Sequence, residues 1–271
     1  MLRQDIANLN SQKFGERPET RGLFTKLKKL FCIALSDAVG GIVGSLGGAT
    51  GCIVGAVSAS TYVATRHAED LTISSPHFSP STNPDSVSLV DAIIIPADEG
   101  MFSLKDSMGY YHNAVILDLK SKCNMSEIIR TPTMLVNNVC ESVLKVTGRP
   151  ATSITAVEMA TINTEMDLLM RNNVVDYICR DDVDLNVYSE ILSYIYPDKA
   201  NVINVVKEAL CGLERMIMNE DTERERYEYI KIVLNYVYSS RGISNVVKRQ
   251  VADGLLIGNA SCMLWNVDDV D

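Results

Sequence analysis

Residues 38–65 read AVGGIVGSLGGATGCIVGAVSASTYVAT, twenty-eight positions without an Asp, Glu, Lys, Arg or His. Seven of the chain's 16 glycines fall here: Gly40, Gly41, Gly44, Gly47, Gly48, Gly51 and Gly55. Gly40, Gly44 and Gly48 are four apart, and so are Gly47, Gly51 and Gly55, a row that Ala59 continues. Steps of three and four keep residues on one side of a helix, and small-xxx-small rows let two backbones approach closely. These residues are therefore the expected helix-packing interface. A phosphate-cradling loop is excluded, because the run contains neither G-x-G nor Gly-Lys-Ser/Thr. A flexible linker is excluded by Ile42, Val43, Leu46, Ile53, Val54 and Val57.

Energy constrains the setting of this segment. Each helical glycine costs roughly 1 kcal/mol relative to alanine, so seven cost on the order of 7 kcal/mol in water. A solvent-exposed helix would not survive that cost. A bilayer enforces internal backbone hydrogen bonding, and tight packing inside a protein offsets the same cost. As one helix the run would span roughly 42 Å, against a hydrocarbon core of roughly 30 Å. The expectation is one tilted span or a hairpin bending near Gly47-Gly48.

On the N-terminal side, residues 1–20 are polar and contain Pro18, and are expected to be disordered. In residues 21–36, Leu23, Leu27, Leu30, Phe31 and Ala34 fall at helical spacing while Lys26, Lys28 and Lys29 crowd the positions between. That is a basic amphipathic helix, suited to contact an anionic membrane surface through the three lysines or to remain a soluble helix with a solvated face. Residues 21–65 thus form one unit, basic helix plus glycine segment. On the C-terminal side, residues 66–90 read as a Ser/Pro linker and residues 91–271 as an acidic helical domain.

The helical domain shows repeated start and stop signals. Ser103 and Asp106 fit a capping box, Thr131-Pro132 opens a helix that Gly148 closes, and Thr222 and Glu225 form a second box. Pro197-Asp198 opens a long helix to about Asn219, and Ser244 caps the last. Apolar residues recur at helical spacing from Val157 to Met170. Only Val87–Ile95 has a strand-like pattern. The fold class is all-α, a bundle of six or seven helices preceded by the glycine-zipper helix or helical hairpin.

Charge and cysteine usage narrow the function. Residues 1–66 hold eight Lys/Arg against four Asp/Glu, whereas residues 67–271 hold seventeen against thirty. An acidic body argues against nucleic acid as a partner, while a basic start suits anionic lipid. The seven cysteines contain no C-x-x-C pair, which speaks against a disulfide framework or a zinc site and favours a reducing compartment. The apolar run begins about 30 residues in, behind a mixed stretch unlike a signal-peptide n-region.

The glycine run resembles the glycine-zipper segments of bacterial bacteriocin-like peptides and envelope proteins over residues 31–65. Leu35-Ser36-Asp37-Ala38-Val39-Gly40-Gly41 is similar to a double-glycine leader, whose processing would occur after Gly41. The sequence departs from that pattern in its length and in lacking the usual glutamate. Gly109-Tyr110-Tyr111-His112-Asn113 resembles a G-x-x-H-N pattern of poorly characterised bacterial helical proteins, a resemblance that implies membership without an activity.

Few residues suggest chemistry. His112 is the one histidine in an expected element and the sole catalytic candidate, as a general base for a hydrolase; it lacks an obvious partner on its own helix. Asp182, Asp184 and Asn186 imitate the start of a calcium loop, but Val187 and Ser193 stand where glycine and glutamate are needed, so an acidic helix entry is the expectation. No metal site or cofactor is expected. The leading expectation is a non-enzymatic, membrane-associated protein of the inner membrane or cell envelope. It would act by self-association or by binding a protein partner, with membrane lipid as a further contact. The alternative is a soluble cytoplasmic interaction protein with the glycine segment packed on its own body.

Overall fold

The computed structural model describes residues 1–15, 24–64, 71–73, 107–122, 124–180, 182–219 and 221–267. The N-terminal part contains α1 (Leu2–Phe14), α2 (Phe24–Gly44) and α3 (Gly48–Ala64). The body contains α4 (Ser107–Lys122), α5 (Met125–Ile128), α6 (Pro132–Thr147), α7 (Ala156–Arg171), α8 (Val174–Ile178) and α9 (Leu185–Ile195). It continues with α10 (Ala200–Met218), α11 (Glu223–Ser239) and α12 (Asn245–Leu264). Two three-residue strands, β1 (Leu71–Ile73) and β2 (Trp265–Val267), pair antiparallel with Thr72 opposite Asn266. The protein is an all-α bundle, and among the described residues seven body helices exceed ten residues.

The glycine segment forms a hairpin. α2 runs without a break from the lysine-rich stretch into the first glycines. A 3-10 turn, Ser45–Gly47, then leads to Gly48, whose φ of +60° only glycine adopts without strain. Gln250 of α12 donates through Nε2 to Ser45 Oγ (3.0 Å) and ties the turn to the body. The hairpin is the spine of the bundle: α12, α9 and α10 pack on α2, and α4 and α6 pack on α3, with α7 against both arms. Phe31, Ile33, Leu35, Ile42, Ile53, Val54 and Val57 are fully buried by these neighbours.

The surrounding helices start where local chemistry directs. Thr131 accepts from Met134 N with Pro132 in the first turn, and Gly148 closes α6 in the left-handed conformation. Thr155–Glu158 and Thr222–Glu225 complete reciprocal capping boxes on α7 and α11. Asp184 caps α9, so the calcium-like stretch is a helix entry, and Arg180 holds Asp182 through two hydrogen bonds of 2.8 and 2.7 Å. The long helix expected from Pro197 begins at Ala200 and ends at Met218.

Two boundaries need correction. Residues 2–14, expected to be disordered, form α1 and dock on α10 and α11. Leu2 and Ile6 are buried, Asn10 Nδ2 donates to Glu208 O (2.8 Å), and the Tyr229 hydroxyl donates to Asn10 Oδ1 (2.7 Å). Apolar residues at positions 2, 6 and 9 carry the helical spacing that the polar average hid. Within the expected linker, Leu71–Ile73 forms β1; the strand expected at 87–95 and the box at Ser103–Asp106 lie outside the described residues.

Candidate functional site

The glycine rows meet each other inside one chain. A Cβ on Gly40 would lie 2.4 Å from Gly55 O, and one on Gly55 would lie 2.1 Å from Gly40 O. The next rung is Gly44 against Gly51, where added Cβ atoms would meet the opposing carbonyl oxygens at 2.1 and 2.4 Å. Ala59 faces Gly40 on the same side. α2 and α3 therefore touch backbone to backbone, which no side chain permits. Gly41 faces Ile257 of α12 instead. Gly47 has ordinary space beside Glu158 and Ile154, and Gly48 has open space. Gly40, Gly44, Gly51 and Gly55 are thus consumed by the hairpin, and its outward faces are mostly branched apolar side chains that the other helices cover.

The three lysines divide. Lys26 lies in the first turn of α2, Lys28 is half-buried, and Lys29 is 9% exposed.

A second feature, absent from the sequence reading, sits where the hairpin meets α4 and α12. Asp37 and His112 are both 0% exposed, and His112 Nε2 lies 3.5 Å from Asp37 Oδ2. Ser60 of α3 donates to Asp37 Oδ2 at 2.8 Å, and Ser261 of α12 donates to the same oxygen at 2.6 Å. Trp265 Nε1 donates to Ser60 Oγ (3.3 Å). Asn113 Nδ2 donates to Ala260 O (2.9 Å), which turns its Oδ1 toward His112 Nδ1 at 2.8 Å. Three helices, α3, α4 and α12, thus converge on one buried carboxylate of α2, and β2 reaches it through Ser60. The helical spacing of α4 places His112 and Asn113 side by side in the core, but sequence spacing gave no hint that Asp37 would be opposite.

Proton placement follows from the hydrogen bonds. Asn113 Oδ1 can only accept, so His112 Nδ1 carries a hydrogen. Nε2 then faces a carboxylate oxygen. Asp37 Oδ1 and His112 Nε2 make no further hydrogen bond among the described residues.

This cluster is not arranged for hydrolysis. A serine nucleophile needs the imidazole as its base, yet Ser60 and Ser261 donate to the carboxylate and the imidazole faces Asp37 and Asn113. Burial also closes the cluster to substrate. Burial raises the thiol of the neighbouring Cys262 far above its ordinary value, with the Asp37 charge adding to the effect, so that sulfur is no nucleophile. Among the described residues no group of three His, Cys, Asp or Glu is placed to hold a metal. No protein-family model, curated protein or solved structure matches this chain.

Proposed function

We propose that the protein is a non-enzymatic membrane-associating protein that carries its insertion element, the α2–α3 hairpin, folded inside a helical bundle. The supporting observation is that the glycine rows are satisfied within the hairpin. Its two arms hold each other through backbone contact, and the side chains that face outward are mostly apolar, with Ser36, Asp37 and Ser60 as polar exceptions. Such a unit keeps its internal packing whether helices or lipid tails cover it. The arms are 21 and 17 residues long; beyond Lys29, α2 has 15 residues, about 22 Å, and α3 is about 26 Å, somewhat short of a hydrocarbon core of roughly 30 Å. Lys28, half-buried, stands at the open end of the hairpin, where an anionic surface would meet it. Self-association through the glycine face is replaced in this reading by association of the intact hairpin with lipid.

A second reading is supported by the burial itself. The chain has one helical stretch apolar enough to cross a membrane, Leu27–Val63, among the described residues, and 89% of its most apolar window is buried in the bundle. A soluble interaction protein that uses the hairpin only as its core would look the same. Flotation of the purified protein with phosphatidylcholine–phosphatidylglycerol vesicles, followed by alkaline carbonate extraction, separates the two. Carbonate-resistant flotation is expected. Quantitative recovery in the unbound fraction at every pH tried would leave the soluble reading in place.

A further inference from the structure

We propose that the turn end of the hairpin, with the first turns of α7 and α12 on either side, is the face that docks on an anionic bilayer, so that the hairpin meets lipid tip first. The inference rests on the membrane reading of the hairpin and assigns it a face and a direction. Leu46, in the turn itself, is 63% exposed. Val157, in the first turn of α7, is 76% exposed, and Val246, in the first turn of α12, is 68% exposed. Among the described residues, only Met1 and Tyr194 expose a large apolar side chain more fully. Single exposed apolar residues are ordinary on a protein surface, whereas a group of them at one end marks a contact site.

Contacts beneath these three residues bring them to the same end. A Cβ on Gly47, which follows Leu46, would lie 3.5 Å from the Cβ of Glu158, which follows Val157. On the other side, Gln250, one helical turn beyond Val246, donates to Ser45 Oγ at 3.0 Å. An aliphatic side chain therefore stands on the turn and on each of the two helices that begin beside it.

Charge complementarity selects anionic lipid as the occupant. The body as a whole is acidic, yet residues 239–252, which end α11, join it to α12 and open α12, hold Arg241, Lys248 and Arg249 and no Asp or Glu. Arg241 is exposed in the loop ahead of Val246. Lys248 is half-buried, and its Nζ donates to Tyr238 O at 2.6 Å. Arg249 is exposed and lies 3.6 Å from the buried Asp253. The acid on the α7 side, Glu158, is engaged by its own capping box, where Thr155 N donates to Glu158 Oε2 at 2.6 Å. Aliphatic tips beside cations suit the headgroup boundary, where the first enter the acyl region and the second meet phosphates. Behind the tip, residues 38–65 contain no Asp, Glu, Lys, Arg or His, while Lys26, Lys28 and Lys29 mark the other end of the hairpin as the one that stays at the near surface.

The experiment is flotation of the full chain with vesicles of phosphatidylcholine and phosphatidylglycerol in equal parts, and with phosphatidylcholine alone. The wild type should bind the mixed vesicles more tightly. The double variant Leu46→Asp/Val246→Asp should lose at least about tenfold in vesicle affinity, the loss expected when a large aliphatic side chain is no longer buried. Both positions are exposed, so it should melt as the wild type does. Arg241→Gln should lose about fivefold on the mixed vesicles and nothing on phosphatidylcholine; should the double variant melt early, Arg241→Gln carries the test. Val187→Asp, at an exposed valine in the first turn of α9, should bind as the wild type does. Wild-type affinity in both Leu46→Asp/Val246→Asp and Arg241→Gln overturns the docking face and leaves the membrane reading standing. An equal loss in Val187→Asp also overturns it, since the loss would then follow added negative charge and not this face. Oligomers in lipid-free buffer that Leu46→Asp/Val246→Asp dissociates would assign the face to a second copy and overturn the lipid assignment. No binding by the wild type rejects the membrane reading and the docking face together.

Discussion

Two helix–helix seams in this molecule are built in opposite ways. Between α2 and α3 the contact is backbone on backbone, with carbonyl oxygens where opposing Cβ atoms would sit. Along α10 the contact is side chain on side chain, with Val202, Ile203, Val206, Leu210 and Leu213 buried against neighbouring helices. The second seam gains stability from buried apolar area and tolerates modest reshaping. The first gains it from closeness, and an extra methyl has nowhere to go. The polar groups follow the same division. The hairpin's carboxylate is met by three groups from three helices, whereas Asp253 of α12 has a single arginine, Arg249, at 3.6 Å.

The largest expected effect is at the backbone seam. Gly44→Leu should abolish cooperative folding, because even its Cβ would lie 2.1 Å from Gly51 O. The penalty exceeds the roughly 1–3 kcal/mol of ordinary overpacking and approaches a typical total stability of about 5–15 kcal/mol. Loss of the thermal unfolding transition by circular dichroism is the readout; a normal melt would mean that the arms are not in contact.

The next effect tests whether α10 has a glycine of the same kind. A Cβ on Gly212 would lie 2.0 Å from the Tyr229 hydroxyl, which is the end of a side chain and not backbone. Gly212→Ala should cost about 1–3 kcal/mol in urea denaturation. Combined with Tyr229→Phe, which removes the nearest obstructing atom but leaves the ring carbon at 2.4 Å, the double variant should cost less than the sum of the two single costs. Additivity within a few tenths of a kcal/mol would show that the Tyr229 hydroxyl is not what obstructs the added methyl.

Asp253 sharpens the contrast between the two acids. Burial pushes its carboxyl up to about 6, and Arg249 only partly offsets this. The unfolded value is about 3.9, so the folded state binds more protons between about pH 4 and 6 and loses stability as pH rises through that window. At pH 7 the cost is complete, and Asp253→Asn should raise stability by roughly 2–3 kcal/mol. The gain should fade below pH 6 and vanish near pH 4, which denaturant midpoints across pH would check.

The smallest effects lie at the edges of both seams. Thr155→Ala removes a complete capping box from α7 and should cost about 1 kcal/mol. Gly47→Ala, with ordinary van der Waals space at its Cβ, should shift the melting temperature by no more than a few degrees. A collapse of stability at Gly47 would place the hairpin's close contact at the wrong rung.

The outer helices were legible because their signals are local. Thr131-Pro132, Gly148, Thr222–Glu225 and Ser244 act within one turn of backbone, so their reading needs no partner. α1 was missed because Leu2 and Ile6 have meaning only once α10 and α11 lie beneath them. β1 was missed because three residues are too short a pattern without β2 to pair with.

The sequence by itself determined that residues 38–65 must pack closely as helix: uncharged, glycine at steps of four, and too poor a helix former for open water. Only the tertiary structure decided that the two rows are each other's partner, because spacing specifies a face and not what meets it. It also decided that Asp37 and His112, seventy-five residues apart, share one buried contact. A charge inside a bundle is tolerable only where several helices bring it partners, and that convergence is a property of the folded chain alone.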